Sequence, residues 1–244
     1  MCGRFTLKTP VAHWLADLFP DQNEELRTAI ESLPTDLSRP RFNITPSQSI
    51  VVARCNDHGV LLLEGMRWGL VPKWATSLSG GYNMINARSE SIAEKPSFRP
   101  SLIDKRCVVL TDGYYEWKKL TPKVKEPYWI HTAGEQVFAM AGLWAENRKI
   151  EDPVSKKNSI LSATIITTQS NTDVASVHDR MPAVLLNQAQ IADWLDPTHN
   201  NSTHVDRLIE QLQPCPLGVL QLRRVSTLVN SPANDFALLL DHKD

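Results

Sequence analysis

The sequence predicts an α+β fold whose strands pair mainly in an antiparallel manner. Short apolar stretches typical of strands follow one another through the middle of the chain, and glycine-containing turns connect several of them. Helical spacing of apolar residues is confined to the two ends of the chain. The 244 residues, 42% of them hydrophobic, are enough to bury a sizeable core. No linker divides the chain, so we expect one domain over residues 1–244.

Helices are predicted near both ends of the chain. After an opening strand, residues 10–19 and 22–33 each carry apolar side chains at helical spacing. Prolines between residues 34 and 46 then favour extended chain. Toward the other end, the segment 187–195 begins on an Asn cap and the segment 202–212 on a Ser cap.

Strands are predicted between these helical regions. The runs Ile50–Arg54 and Val60–Leu63 flank Asn56–Gly59, a sequence typical of a hairpin turn. Further strands are predicted at residues 106–110, 128–131, 137–141 and 164–167. The polar, proline-containing stretch 147–158 is expected to form an exposed loop.

Composition excludes several classes of function. Lys and Arg number 26 and Asp and Glu 27, so no global positive field attracts a polyanion, and any nucleic-acid contact must come from a local patch. No apolar run approaches the roughly 18 residues of a membrane span, and the N-terminal stretch lacks a signal-peptide core. The four scattered cysteines include no Cys-x-x-Cys pair, which favours a reduced, cytoplasmic protein. Motifs for nucleotide cofactors, serine hydrolases and zinc peptidases are absent, so we expect no cofactor and no metal.

Cys2 is the first candidate for chemistry. Removal of Met1 would give this residue a free amine beside its thiol, and such an aminothiol condenses with an aldehyde to an imine that the thiol closes into a thiazolidine ring. The amine titrates at roughly 8 and the thiol at about 8.5, so both are partly nucleophilic near neutral pH. The alternative is a cysteine that follows Met1 without a role.

Two titratable side chains lie in motifs that suit proton transfer. Glu116 stands among aromatic residues in Asp112–Trp117, where burial would raise its pKa. The alternation of Tyr115 and Trp117 around it fits equally well a glutamate that points to solvent. His178 lies in a firm loop and has the natural pKa of a proton shuttle, although a surface or core histidine is the alternative.

A third group of residues suits contacts with nucleic acid. Asn86 and Arg88 follow a glycine-rich stretch, and such side chains in a loop grip phosphates and orient a sugar. Trp74 closes a segment that also contains Trp68 and Lys73, and exposed tryptophan beside positive charge is typical of single-strand binding. Asx turns, solvated arginine and buried tryptophan are the alternatives.

Nine sequence blocks, taken together, resemble one family, the SRAP (SOS response-associated peptidase) proteins. The resemblance runs nearly end to end, and its specificity comes from the joint order and spacing of the blocks. They are Met1–Phe5, Arg41–Pro46, Arg67–Trp74, Asn86–Glu90, Arg106–Trp117, Met140–Trp144, Ile165–Thr168, His178–Pro182 and Val225–Asn230.

The resemblance implies a curved, barrel-like sheet surrounded by helices and a sensor of abasic sites in single-stranded DNA. Cys2 is the implied nucleophile, forming a thiazolidine crosslink that shields the strand. Glu116 is the implied proton-transfer group near the amine, and His178 the group that assists at the deoxyribose. Asn86 is implied to hold the amine or the sugar. Self-removal of Met1 and strand cleavage by β-elimination are further implied activities.

The family also implies which residues contact DNA and where the protein acts. The implied contacts are Arg4, Arg88 and Arg180 at phosphates, Trp74 and Trp117 at bases or the sugar, and Pro46 and Thr167 at the pocket wall. We expect a monomer in the cytoplasm that associates with the nucleoid and the replication fork. Two other classes remain open from the residues: a cysteine-type peptidase acting on peptides through Cys2, and a non-catalytic DNA-binding module.

Overall fold

The computed structural model describes residues 2–10 and 33–241, together with residues 13, 18, 19 and 30. The helices predicted over residues 10–19 and 22–33 therefore lie almost entirely outside the described residues.

Thirteen strands form two sheets in the described part of the chain. Their bounds are β1 Arg4–Leu7, β2 Arg41–Ile44, β3 Ser49–Cys55, β4 Leu61–Trp68, β5 Asn86–Arg88, β6 Arg106–Thr111, β7 Gly113–Lys119, β8 Lys125–Thr132, β9 Phe138–Asn147, β10 Ile160–Gln169, β11 Arg180–Pro182, β12 Val184–Leu185 and β13 Leu220–Arg224.

The larger sheet closes into a barrel. Its strands follow the order β10-β4-β3-β6-β9, and β9 pairs again with β10. Four of these five contacts are antiparallel and the β10–β4 contact is parallel. The short β5 also runs parallel to β10, with Thr167 opposite Arg88. The predicted α+β class and the barrel-like sheet are confirmed.

The second sheet is antiparallel and has the order β13-β8-β7-β1-β2. The strand β1 lies between β2 and β7, with Arg4 opposite Tyr115 and Phe5 opposite both Tyr114 and Ile44. The first strand of the chain is therefore held on both edges.

The described part also contains five α-helices and four short 3-10 helices, and the α-helices are α1 Thr35–Ser38, α2 Arg99–Asp104, α3 Thr172–Ala175, α4 Gln188–Leu195 and α5 Ser202–Glu210. The side chain of Asn187 caps α4 by accepting from the Gln190 amide, as predicted. The predicted Ser cap of α5 is wrong. Asn201 has the extended backbone of a cap and accepts from the His204 amide, so Ser202 is already helical. None of the helices in the described ranges is long and apolar enough to cross a membrane.

The predicted hairpin is confirmed, but most strands are longer than predicted. The turn between β3 and β4 contains Gly59 at φ +76°, a conformation that glycine adopts readily. Asn147 is not part of an exposed loop, because it ends β9, is fully buried, and donates to the carbonyls of Pro72 and Ala75 at 2.7 and 2.9 Å. The loop therefore begins after it.

The two faces of β7 are covered by different parts of the molecule. Tyr114 packs in the main core together with Phe5 and Cys2. Tyr115 packs in a second cluster, which we call the C-terminal cluster: Tyr115, Trp129, Val225, Val229, Leu239 and Leu240, with Phe42 and Trp117 at its edge. Both faces of β7 are thereby shielded from water over much of the strand.

The buried carboxylate of Asp112 anchors the chain on both sides of the end of β1. It accepts hydrogen bonds from the Thr6 hydroxyl and from the backbone amides of Lys8 and Thr9, the latter two at 2.7 and 2.9 Å. Asp112 is completely buried, whereas the residues whose amides it binds, Lys8 and Thr9, are partly buried.

We expect Asp112→Ala to lower the free energy of unfolding by about 2–4 kcal/mol, since it removes a buried acceptor shared by two backbone amides and the Thr6 hydroxyl. Asp152→Ala is the matched control. Asp152 likewise accepts from a backbone amide and a hydroxyl, those of Val154 and Ser155, but on an exposed loop. Denaturant unfolding of both variants checks the expectation, and equal losses would contradict it.

Candidate functional site

Four residues from distant parts of the sequence come together: Cys2 just before β1, Asn86 on β5, Glu116 on β7 and His178 before β11. The amide Nδ2 of Asn86 donates to the carbonyl oxygen of Cys2 at 2.8 Å. His178 Nε2 lies 3.9 Å from Glu116 Oε2. The negative charge of Glu116 in turn helps to raise the pKa of the Cys2 thiol. The structure therefore brings together all the side chains that the sequence nominated for chemistry.

Strand register places Cys2 at this point. Arg4 lies opposite Tyr115 in the antiparallel β1–β7 pair, and Cys2, two residues before β1, packs in the same core as Phe5 and Tyr114. Cys2 is fully buried, and its Sγ donates to the Arg4 carbonyl at 3.9 Å. Burial, and next the negative charge of Glu116, raise the pKa of the Cys2 thiol. The thiol is therefore protonated at neutral pH and needs a neighbouring base to react.

Glu116 is buried, so the alternative of a solvent-pointing glutamate is wrong. Its side chain is only 4% exposed, because it shares a face of β7 with Tyr114 and looks into the site. Burial raises the pKa of Glu116 to about 7. Near neutral pH this carboxyl group is thus divided between its acid and base forms, as a proton-transfer group requires.

His178 lies in the loop between α3 and β11 and is partly exposed. Its Nδ1 accepts from the backbone amide of Arg180 at 3.0 Å, and its Nε2 faces Glu116. Burial lowers the pKa of His178, which favours the neutral ring at neutral pH. Burial thus moves the two pKa values in opposite directions, upward for Glu116 and downward for His178.

Asn86 reaches the site from β5. While its Nδ2 holds the Cys2 carbonyl, its Oδ1 is buried and has no hydrogen-bond partner among the described residues. A buried acceptor without a partner in the protein is suited to a hydrogen-bond donor from a bound molecule.

Tyr114 is a site neighbour that the sequence did not single out. Its hydroxyl is fully buried and has no hydrogen-bond partner in the described part of the chain. Burial, followed by the charges of Cys2 and Glu116, raises the pKa of Tyr114. Period-two alternation with Glu116 along β7 is the signal that indicates its position.

Arg4 and Trp117 bind the C-terminal part of the chain. The Arg4 guanidinium donates to Asn43 Oδ1 at 2.9 Å and to the Val229 carbonyl at 2.6 Å. Trp117 Nε1 donates to Asn230 Oδ1 at 2.7 Å, and Arg4 lies 5.8 Å from the centre of the Trp117 ring. Both side chains thus border the site while tethering the turn Thr227–Asn230.

Arg180 and Thr167 form one buried unit, and Arg88 lies beside it. Arg180 donates to the Thr167 carbonyl at 2.7 Å and makes a two-pronged ion pair with Glu90. Arg88, opposite Thr167 in the β5–β10 pair, is exposed. Glu90 was not a sequence candidate, although it belongs to the same block as Asn86 and Arg88.

Pro46 and Trp74 do not join the contacts around Cys2 that the structure describes. Pro46 is half-buried in the turn after β2. Trp74 is 61% exposed and borders a separate cavity of about 310 Å³ near α2, lined also by Pro96 and Ile103. In the described ranges no group of three or more His, Cys, Asp or Glu side chains is arranged to hold a metal ion.

Comparisons with known proteins agree on one family. The family model for SRAP, the SOS response associated peptidase, matches residues 1–232. The abasic site processing protein YoqW of Bacillus subtilis is 39% identical over 241 residues, which cover 99% of each chain. The abasic site processing protein HMCES of Gallus gallus is 30% identical over 264 residues, covering 96% of this chain and 76% of that protein.

Solved structures share the fold. A protein from Bacteroides thetaiotaomicron superposes with a TM-score of 0.77 at 23% identity, over 99% of this chain and 100% of that chain. A phage-related protein from Bordetella bronchiseptica superposes with a TM-score of 0.68 at 26% identity, over 92% of this chain and 94% of that chain.

The burial of Glu116 predicts a pH-dependent effect on stability. Folding raises the pKa of this group from its usual 4.5 to about 7, so the folded state binds its proton more tightly and loses stability as the pH rises through this interval. We expect the change that Glu116→Gln makes in the free energy of unfolding to be more favourable at pH 8 than at pH 4.5, by about 2–3 kcal/mol. Denaturant unfolding at both pH values measures this difference, and a pH-independent effect would contradict the expectation.

Proposed function

The chain belongs to the SRAP family of SOS response associated peptidases, and on this premise we propose that it captures abasic sites in single-stranded DNA as a thiazolidine crosslink through Cys2. The observation that carries the proposal is the meeting of Cys2, Asn86, Glu116 and His178, of which Cys2 and Glu116 are buried. A reversible covalent trap for an aldehyde needs an amine, a thiol and an acid–base pair. After removal of Met1, this group of residues contains all of them.

The proposed reaction balances without a cofactor. The Cys2 amine bonds to the aldehyde carbon of the ring-opened deoxyribose, and the resulting carbinolamine loses its oxygen as water to give an imine. Sγ then adds to the imine carbon, and the thiol proton moves to the nitrogen. One water leaves for each adduct. An imine that the sulfur does not close would permit β-elimination of the 3′ phosphate, which is the lyase reaction we include in the proposal.

Proton transfers assign roles to the neighbours of Cys2. Glu116, with its pKa raised to about 7 by burial, can protonate the leaving hydroxyl and accept the thiol proton. His178 would assist at the sugar and in reversal of the crosslink. The unpartnered acceptor Oδ1 of Asn86 suits an amine or a sugar hydroxyl as donor.

Physical arguments favour a single strand as the substrate. The buried Cys2 must reach the sugar carbon, and extracting a nucleotide from a duplex costs a few kcal/mol that an unpaired strand avoids. Exposed Arg88 and Trp74 are suited to a phosphate and a base. The net charge of −1 gives little general attraction to duplex DNA. Single strands occur at replication forks in the nucleoid, where we place the protein's action as a monomer.

We also propose that the site removes Met1 itself. Sγ of Cys2 would attack the Met1 carbonyl carbon, the peptide bond would break with its nitrogen becoming the free amine of Cys2, and water would release methionine from the thioester. Because burial raises the pKa of the thiol, this attack requires Glu116 as a base.

Incubation with an oligonucleotide that carries one abasic site tests the crosslink. We expect intact-mass analysis to give the protein without Met1, plus the oligonucleotide, less one water. Cys2→Ser should form no stable adduct, and Glu116→Gln should form it about 10²- to 10⁴-fold more slowly. An oligonucleotide whose abasic aldehyde has been reduced is the control. Cleavage of peptides in trans without any adduct would favour the peptidase alternative, and unaltered function of Cys2→Ser would favour the binding module.

The rate of Met1 removal should follow the ionisation of Glu116. A general base acts when deprotonated, so we expect the rate to rise about tenfold per pH unit below pH 7 and to level off above it. The chain can be released from a cleavable N-terminal fusion with Met1 in place, and loss of methionine followed by mass spectrometry. Glu116→Gln should be slow at every pH. A wild-type rate that is constant from pH 5 to 9 would refute the role.

A further inference from the structure

We propose that Glu90 is a positioning residue, which orients the His178 ring by holding Arg180. The inference rests on the role given to His178 in the proposed function and adds to it a residue outside the group around Cys2. Three contacts carry it: the Glu90–Arg180 pair, the Arg180–Thr167 bond, and the bond from the Arg180 backbone to the His178 ring.

The Glu90–Arg180 pair has the geometry of a rigid clamp. Glu90 Oε1 lies 2.5 Å from Arg180 Nη1, and Oε2 lies 2.9 Å from Nη2. A two-pronged pair of this kind fixes direction as well as distance. Nη2 also donates to the Thr167 carbonyl on β10, so the guanidinium is held on two sides. Arg180 is buried, whereas Glu90 is nearly half exposed.

The backbone of the same arginine sets the state of the histidine ring. The backbone N–H of Arg180 can only donate a hydrogen bond. The neutral His178 ring therefore accepts this bond at an unprotonated Nδ1, 3.0 Å from the Arg180 nitrogen. Its own proton then resides on Nε2, the nitrogen that faces Glu116. Holding Arg180 therefore selects the tautomer that can exchange a proton with Glu116.

Asp179 competes for the same ring nitrogen. Its Oδ1 lies 2.9 Å from His178 Nδ1, a contact that is favourable only when Nδ1 bears a proton. The Asp179 side chain is 87% exposed and can turn into solvent. If the Arg180 amide moves away, Asp179 favours the opposite tautomer of His178. In that tautomer the ring proton is on Nδ1, and Nε2 has no proton to donate toward Glu116.

The short segment 86–91 thereby contacts both Cys2 and the arginine that orients His178. Asn86, at its start, holds the Cys2 carbonyl, and Glu90, in the turn Ser89–Ser91, holds Arg180. Between them β5 is fixed by its parallel pairing with β10. A displacement of this segment would shift the nucleophile and the histidine together.

The first test is spectroscopic and needs no DNA. In Glu90→Gln we expect the ¹⁵N chemical shifts of the His178 ring to change from those of the Nε2–H tautomer to those of a mixture, because the amide side chain repels one prong of the guanidinium. Glu64→Gln is the matched control, since Glu64 pairs with Arg54 at 2.5 Å across β3 and β4, away from the site. An unchanged His178 tautomer in Glu90→Gln would overturn the proposal.

The second test is kinetic. We expect Glu90→Gln to slow adduct formation about tenfold, and to cause no further loss in a His178→Ala background, because the residue acts through the ring. An equal loss of adduct-formation rate in the wild-type and His178→Ala backgrounds would overturn the proposal. Tighter DNA binding with an unchanged rate of adduct formation would also overturn it, because Glu90 would then compete with a DNA phosphate for Arg180. Glu90→Asp, which keeps the charge but shortens the reach, replaces Glu90→Gln if that variant does not fold. Absence of any wild-type adduct would refute the proposed function, while the tautomer spectrum would still decide the role of Glu90.

Discussion

The antiparallel pairing of β1 with β7 is the constraint on which the site depends. It sets the beginning of the chain against the strand that carries Glu116, and it does so through backbone hydrogen bonds whose register leaves no freedom along the strand. Asp112 secures the far end of β1, and Asn86 secures the Cys2 carbonyl. A residue that would otherwise lie at a frayed terminus is thereby held as firmly as a core residue.

The electrostatics of the site follow from the double cover of β7. The barrel core packs on the face that bears Tyr114, and the C-terminal cluster packs on the face that bears Tyr115. Water is excluded from both sides, so the charged forms of Glu116 and of the Cys2 thiol are disfavoured, and the pKa of each is raised. Strongly perturbed pKa values of this kind occur often, although not exclusively, at functional sites.

Local signals in the sequence predicted local structure well. The Asn56–Gly59 turn and the Asn187 cap each depend on residues within a few positions, and both are present. The burial of Glu116 could not be predicted in this way, because the residues on its face of β7, Cys2 among them, come from distant parts of the chain. The Glu90–Arg180 pair, 90 positions apart, was missed for the same reason. Motif resemblance nominated Cys2, Asn86, Glu116 and His178, while only the strand pairings explain how they meet.

The separation of the site residues along the chain has a consequence for when the site comes into being. Asn86 and Cys2 are 84 positions apart, and His178 comes from a still later loop, so every contact among them waits for distant strands to close the barrel. Structures built from such long-range contacts form late and slowly in folding. In an incompletely folded chain Cys2 therefore lacks these neighbours, and only the closed barrel brings Asn86, Glu116 and His178 together with it.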